Sequence, residues 1–282
     1  MDLSLSKESM VPDLPEHLGA LTAVFFLTLF WFWESVAPFF RFEHRGRHLA
    51  RNLFIAAINV ALLAGVFSGL VVWTADLARQ HDLGMLRLIR LANVPLVLGS
   101  FILLDGWAYW WHRINHKVRF LWRFHRVHHS DPAVDVSTAA RFHFGEIALS
   151  SLLRLALILL LGIPIEAIIL FDVIQFPVIA FHHANIGLSP GVDRFLCLLI
   201  VTPSMHKVHH SREKSETDSN YSSMFSVWDR VFGSFGRRED DRGIRFGLPY
   251  FESDSFQSVP GLLWTPMAPI ENPETGNGKG GK

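Results

Sequence analysis

The sequence predicts an all-α fold: a multi-span membrane helical bundle of about four to five crossing helices, with interfacial helices and a cytosolic histidine-rich cap. Three observations predict it. Half of the 282 residues are hydrophobic and 13% are aromatic, and mean hydropathy is +0.25, high for a water-soluble chain of this size. The apolar residues gather in runs near the ~20 residues that a helix needs to cross the hydrocarbon core. Histidines then cluster at the ends of those runs: of 15 in the chain, 11 fall between positions 112 and 210.

Residues 1–17 are polar with two prolines and read as a loose leader. No basic n-region or small-residue cleavage site accompanies the first apolar run, Leu18 to Phe40, which is expected to stay as a membrane span rather than be cleaved. An arginine-rich loop, 41–51, follows, and a second span covers Leu53 to Trp73. Residues 74–92 alternate apolar and charged positions at helical spacing, the pattern of an interfacial amphipathic helix. The third span, Asn93 to Trp111, closes in the aromatic band WAYWW, a composition that favours the headgroup level. The fourth, Gly145 to Leu161, is broken by Gly162-Ile163-Pro164, and the fifth, Ile165 to Phe181, returns as the second arm of a helical hairpin. Residues 192–201 are apolar but too short to cross and are expected to lie along the surface.

The expected organisation is therefore a leader (1–17), N-terminal membrane helices with an interfacial helix (18–92), a catalytic-type region (93–236) and a C-terminal soluble segment (237–282). Within the last part, 212–260 should cap the histidines, and the Pro/Gly-rich 265–282 should be disordered. Net charge is zero, so no global field points to nucleic acid. The single cysteine, Cys197, excludes an internal disulfide and reads as a small buried hydrophobe.

The positive-inside rule places loop 41–51 in the cytoplasm. Counting spans from there brings His112, the basic segment 112–144, His182–His183 and His206–His210 to that same face. The spacing within each cluster is ligand spacing. His112 and His116 are four apart, and His125, His128 and His129 repeat as His206, His209 and His210. Residues three and four apart share a helix face, so each group can aim its imidazoles at one point. Neutral imidazole suits iron, zinc, copper and nickel, and this many imidazoles argue for two ions. His17, His44, His48 and His81 read as ordinary polar residues instead.

The segments YWWHRINH, LWRFHRVHHS, RFHFGE, HHANI and TPSMHKVHHS, followed by NYSS and WDRVFG, resemble the fatty acid hydroxylase / sterol desaturase superfamily of integral-membrane histidine-box di-iron oxygenases over about residues 95–236. Ser222 departs from the pattern, which has glycine after the Asn-Tyr pair. The resemblance implies two iron ions, dioxygen as co-substrate, a lipid drawn from the bilayer and a separate electron-donor protein of reductase, ferredoxin or cytochrome b5-like type. It implies as ligands His112, His116, His125, His128, His129, His206, His209 and His210, with His143 and His183 added; His182 stays open. The implied activity is hydroxylation or desaturation of a lipid C–H bond, with the outcome undecided.

Other residues are singled out by position. Asp131, Asp135 and Glu146 are candidates to hold the outer nitrogens of ligating histidines. Asp105, about two turns before His112, and Asn185 are expected to serve the reaction site, and Gln175 is a further polar candidate near it. Arg154 and Asp172, each nine residues from Ile163, should pair across the hairpin, since charges within spans are costly alone. Two other classes compete. A metal carrier would need polar residues along a path through the spans, which offer few. A haem-binding electron carrier would place facing histidines within the spans, whereas these lie at span ends.

Overall fold

The computed structural model describes residues 18–269; the leader 1–17 and positions 270–282 of the expected disordered tail lie outside the described residues. The first apolar run forms α1 (Leu18–Val36), which stops two residues before Pro38, where a helix would lose an N–H and meet the ring. Helix α2 (Arg45–Leu62) passes through a π-helical turn, Leu63–Phe67, into α3 (Ser68–Gln80).

This corrects one expectation. Residues 74–80 continue the second span instead of starting an interfacial helix, because no breaker intervenes before Asp82 and Gly84, both at positive φ (52° and 107°). Only α4 (Met85–Leu88) remains of the amphipathic segment. Gly84 packs directly on the backbone of Gly162, leaving no room for a Cβ. The end of the second span and the tip of the hairpin are thus locked together at one end of the bundle.

Helix α5 (Asn93–Lys117) runs past its aromatic band and carries His112 and His116 with it. Val118, in extended conformation, turns the chain into α6 (Arg119–His129). A 3-10 turn, Val136–Ala140, is held by a capping box on Asp135. Helices α7 (Phe144–Leu161) and α8 (Ile165–His183) form the hairpin, with Gly162 at φ 72° closing α7 as a left-handed cap. The short α9 (Pro190–Leu196) and α10 (Pro203–His209) follow. Phe195, Leu198 and Leu199 stay exposed around the end of α9, as expected for a segment lying along a surface.

Helix α8 packs against α1 and α5, while α7 packs against α3. Ala75, Phe101, Leu104, Ile158, Ile168 and Phe171 form the core between them. Among the described residues, five segments are long and apolar enough to cross a membrane, and their outer faces carry exposed Leu21, Phe25, Phe32, Val60 and Val72. The chain is a multi-pass membrane protein. Inside lipid, apolar contact between helices gains packing rather than release of water, so polar anchors carry much of the specificity. The Glu34 carboxylate is one: buried at the end of α1, it accepts the backbone N–H groups of Val136 (3.0 Å) and Asn185 (2.9 Å) and the guanidinium of Arg45 (2.9 Å).

The C-terminal part wraps the histidine end, with isolated antiparallel bridges at Ile200–Phe225 and Ser211–Phe246. Residues 265–269, expected in the disordered tail, are ordered. Thr265–Met267 form a 3-10 turn, and the Arg126 guanidinium donates to the carbonyls of Thr265 (2.5 Å) and Ala268 (2.7 Å).

Candidate metal centre

Nine histidines converge in two adjacent groups. His112, His116, His125, His129 and His209 form one, and His128, His183, His206 and His210 the other; within each, the candidate ligand nitrogens all lie within 4.8 Å of one another. The groups touch, with the rings of His129 and His210 4.6 Å apart.

Neither HxxHH triplet aims at a single point. Helix α6 sends His125 and His129 to the first group and His128 to the second; α10 sends His206 and His210 to the second and His209 to the first. The reason is helical geometry. At 3.6 residues per turn, positions i and i+4 differ by only about 40° around the axis, whereas adjacent positions differ by about 100°. The pair four apart therefore serves one group, and the histidine between them faces the other.

The outer nitrogens of the first group are mostly spoken for. His112 Nδ1 donates to the Tyr221 carbonyl (2.9 Å), His209 Nδ1 to the Ser219 carbonyl (2.7 Å) and His125 Nδ1 to Glu146 Oε1 (2.8 Å). Carbonyl and carboxylate oxygens only accept, so these Nδ1 atoms carry the proton and each Nε2 presents a lone pair inward. The Nε2 atoms of His112, His116, His125, His129 and His209 are all buried without a hydrogen-bond partner. Five such atoms facing one another would be costly unless something electron-poor sat among them.

In the second group, His183 Nδ1 donates to the Ile179 carbonyl (2.8 Å). His183 Nε2 lies 3.2 Å from His128 Nε2 and 2.9 Å from His206 Nε2, which is 3.0 Å from His210 Nε2. Nitrogens bound to one ion at about 2.0–2.1 Å stand roughly 3 Å apart. Both donor sets fit a metal cation. Burial first, and crowding by neighbouring imidazoles second, push His128, His129, His206, His209 and His210 well below the usual histidine value, so they remain the neutral bases that metals need.

The other singled-out residues divide. Glu146 holds the outer nitrogen of a ligand candidate, as anticipated. Asp131 and Asp135 do not: both bind His48, at 2.8 Å and 3.2 Å. Burial would raise the Asp131 carboxyl, but His48 and Arg141 outweigh it and hold the group well below the carboxylate range. His143 is not brought to either group. Its Nδ1 accepts the Gly145 N–H (2.9 Å) to cap α7, and its Nε2 lies 3.3 Å from the Leu263 carbonyl.

Asp105 lies apart from the histidines, accepting from the Trp228 indole (2.7 Å) and the Phe225 N–H (3.1 Å). Asn185 clamps both backbone groups of Phe40 (2.9 and 2.8 Å). His182 is buried, its ring 4.0 Å from that of His206, with Nδ1 unpartnered; it belongs to neither group. Arg154 and Asp172 do pair, at 2.8 Å, but their side chains keep 25% and 47% exposure, so the pair is not enclosed by protein.

Sequence reading missed the network behind the second group. The Asn52 amide donates to Ser137 (2.9 Å), and Arg141 donates to Asn52 (3.1 Å), Ser130 (3.1 Å) and Gln257 (2.7 Å). A signal for it existed: His48, Asn52 and Asn59 recur at helical spacing on one face of α2.

Beneath the histidines a cavity of about 270 Å³ extends between α5, α7 and α8. Trp107, Trp111, Leu104, Phe171 and Ile179 give it an apolar wall, and His125, His128, His182, His183 and His206 close its upper end.

A helical membrane bundle carrying two adjoining polyhistidine cradles beside a cavity defines a class: membrane proteins with side-chain clusters that could hold metal. Residues 97–234 match the model of the fatty acid hydroxylase family. It is 31% identical over 168 residues to human alkylglycerol monooxygenase, covering 57% of this chain and 36% of that protein. It is 33% identical over 144 residues to the ornithine lipid hydroxylase of Rhizobium tropici, covering 50% and 41%, and 30% identical over 155 residues to a Danio rerio cholesterol 25-hydroxylase-like protein, covering 51% and 59%. The matches thus span well under half the length of the first two relatives. No solved structure matches the chain significantly.

Proposed function

We propose that the chain is a membrane-bound, O2-dependent di-iron oxidoreductase that hydroxylates a C–H bond of a lipid. One observation carries this: five buried, unpartnered Nε2 atoms and four closely packed ones stand at the closed end of a cavity walled by membrane helices. All three relatives described above are named as monooxygenases or hydroxylases, or as like one, and each name specifies a lipid, which favours hydroxylation over desaturation.

In this reading the five-histidine group holds one ion and the four-histidine group the other, and iron there would supply the redox chemistry that activates dioxygen. The residues of the chain do the rest. Glu146 and the carbonyls of Tyr221 and Ser219 fix the ring orientation of three ligands. The aromatic wall of α5 takes the lipid chain and keeps water from the reacting end. A chain without haem, flavin or iron–sulfur motifs needs its electrons from a separate protein, and the arginine-rich loop 41–51 argues that this donor meets the histidine face in the cytoplasm.

The test uses purified full-length protein. Two irons per chain, no Soret band, and one atom of labelled dioxygen incorporated into a lipid substrate are expected. His128→Ala should abolish turnover while leaving membrane insertion intact. Full turnover in that variant, or oxygen-independent product, would overturn the reading.

A further inference from the structure

The chain on either side of the second histidine triplet reaches well below it. Met224 belongs to the core with Phe101 and Leu104, and the Phe225 ring lies 6.2 Å from that of Phe101. The Phe225 N–H and the Trp228 indole both donate to Asp105 (3.1 and 2.7 Å), and the indole packs on Gly106. The short helix Val227–Val231 then climbs beside α5, until Phe232 stacks on Tyr109 (5.2 Å) and meets Trp110 (4.8 Å). Asp105 is seven residues before His112 and Phe101 eleven, so these contacts lie about 10 and 16 Å below the histidine along α5. The apolar stretch of α5, Asn93 to Trp111, is itself about 28 Å long, close to the ~30 Å of a hydrocarbon core. The contacts at Asp105 therefore fall inside that core and not above it.

Two segments make one body there. The Ser226 N–H donates to the Leu199 carbonyl (3.2 Å) and the Val201 N–H to the Met224 carbonyl (3.0 Å). The Ser226 hydroxyl and the Arg230 guanidinium both donate to the Cys197 carbonyl (2.7 Å each). The outer side of this body is apolar: Phe195, Leu198, Leu199, Val227 and Val231 are between 43% and 65% exposed. Its charges are turned inward. Asp229 is fully buried, and Arg230 spends both terminal nitrogens on Ser226 and Cys197 with its guanidinium 4.1 Å from the Phe235 ring.

A turn that faces water can leave its N–H groups to solvent, whereas at membrane depth irregular backbone must be satisfied within the protein. All five N–H groups from Cys197 to Val201 are bonded internally, at 2.8–3.2 Å. The Phe225 and Ser226 N–H groups are bonded as well, to Asp105 and Leu199.

We propose that residues 195–201 and 224–231 form a ledge immersed in the bilayer beside α5, with the acyl chains of the histidine-side leaflet as its partner. Its outer face continues the exposed side of α5 that carries Ile102, Leu103 and Trp110, through the Trp110–Phe232 contact. The ledge also bears on the histidines. Cys197 and Val201 pack with Met205 of α10 in one cluster, so the bilayer holds at a set height the helix that carries His206, His209 and His210. Ser222 and Ser223, at the other end of the ledge, line the cavity. The inference does not depend on the reaction proposed above.

The experiment is fluorescence quenching on the full-length protein in phosphatidylcholine nanodiscs. The native thiol is removed as Cys197→Ala, and single cysteines are placed as Leu198→Cys and Val231→Cys and labelled with a nitrobenzoxadiazole probe. Leu103→Cys, on the exposed side of α5, is the reference in lipid, and Lys214→Cys, exposed in the C-terminal part, is the reference in water. Phosphatidylcholine with a doxyl group near the head of its acyl chain should quench the probes at Leu198 and Val231 as strongly as at Leu103. Aqueous iodide, a charged quencher that hydrocarbon excludes, should lose its effect at both positions relative to Lys214. Iodide quenching at either position equal to that at Lys214 would overturn the proposal. Protection from both quenchers would overturn it too, since the face would then be covered by protein, such as a second copy of the chain. If Cys197→Ala does not fold, the same variants are labelled with Cys197 in place, where its 1% exposure keeps the thiol from the reagent, and the same readings decide.

Discussion

Replacing Glu146 tests the two-cradle geometry most directly. Its Oε1 accepts from His125 Nδ1 at 2.8 Å, its other oxygen has no partner, and His125 belongs to the five-histidine group alone. A hydrogen bond to a buried charged acceptor contributes about 1.5–3 kcal/mol, which at 1.4 kcal/mol per decade corresponds to roughly 10- to 150-fold in affinity. Loss of such an outer partner elsewhere weakens metal binding by about 10- to 100-fold. Glu146→Leu should weaken one ion by that factor and leave the other unchanged. Glu146→Gln keeps a neutral acceptor and should cost roughly tenfold or less. Iron-loaded protein dialysed against graded chelator, with metal per chain measured by plasma emission, should show the wild-type profile split into two steps. If both ions weaken together, or neither does while circular dichroism shows native helix content, the assignment of His125 and Glu146 to one separate site is wrong.

Other outcomes follow from the same contacts. His143→Ala should retain both ions and cost about 1 kcal/mol through loss of the α7 cap, read as a lowered melting temperature with unchanged metal content. Asn185→Ala releases both backbone groups of Phe40 and should destabilise by roughly 1–3 kcal/mol, again with metal content unchanged. Metal-free protein should lose stability as pH falls below about 6.5. The unfolded chain then takes up protons that His128, His129, His206, His209 and His210, held well below their usual value by burial, refuse in the fold. The slope approaches ~1.4 kcal/mol per pH unit for each such group, and melting curves from pH 7.5 to 5 would check it; a flat profile would contradict it.

Much of the bundle was legible because lipid imposes a simple rule. Runs near 20 apolar residues became helices, and Gly162 and Pro164 marked the hairpin turn where the structure has it. Boundaries were less legible. The second span runs on through residue 80 because charged Asp76 and Arg79, which looked interfacial, are compatible with a helix that has no breaker. At the site, imidazole spacing marked eight of the nine converging histidines and the family resemblance added His183, along with His143, which joins neither group; the division of each triplet between two groups needed the 100° step around the axis to be followed for each residue. The partners of the outer nitrogens could not be read at all for His112 and His209, since any residue can supply the carbonyls offered here by Tyr221 and Ser219. Asn185 and Asp105 were misjudged for a related reason. A buried polar residue near a site in sequence serves whichever unsatisfied backbone group lies closest, and for these two that is Phe40 and Phe225. Ser222, a departure from the family pattern, is among the residues that line the cavity.

The way α6 and α10 divide their histidines bears on which changes this chain can absorb. A point substitution in one ring's support can stay local, but an insertion or deletion of a single residue between His125 and His128, or between His206 and His209, would swing every later imidazole of that helix a quarter-turn or more and scramble both sets of ligands at once. Length variation is therefore confined to the connecting stretches outside these two short helices, and descendants of this chain must keep their frame there even where their side chains drift.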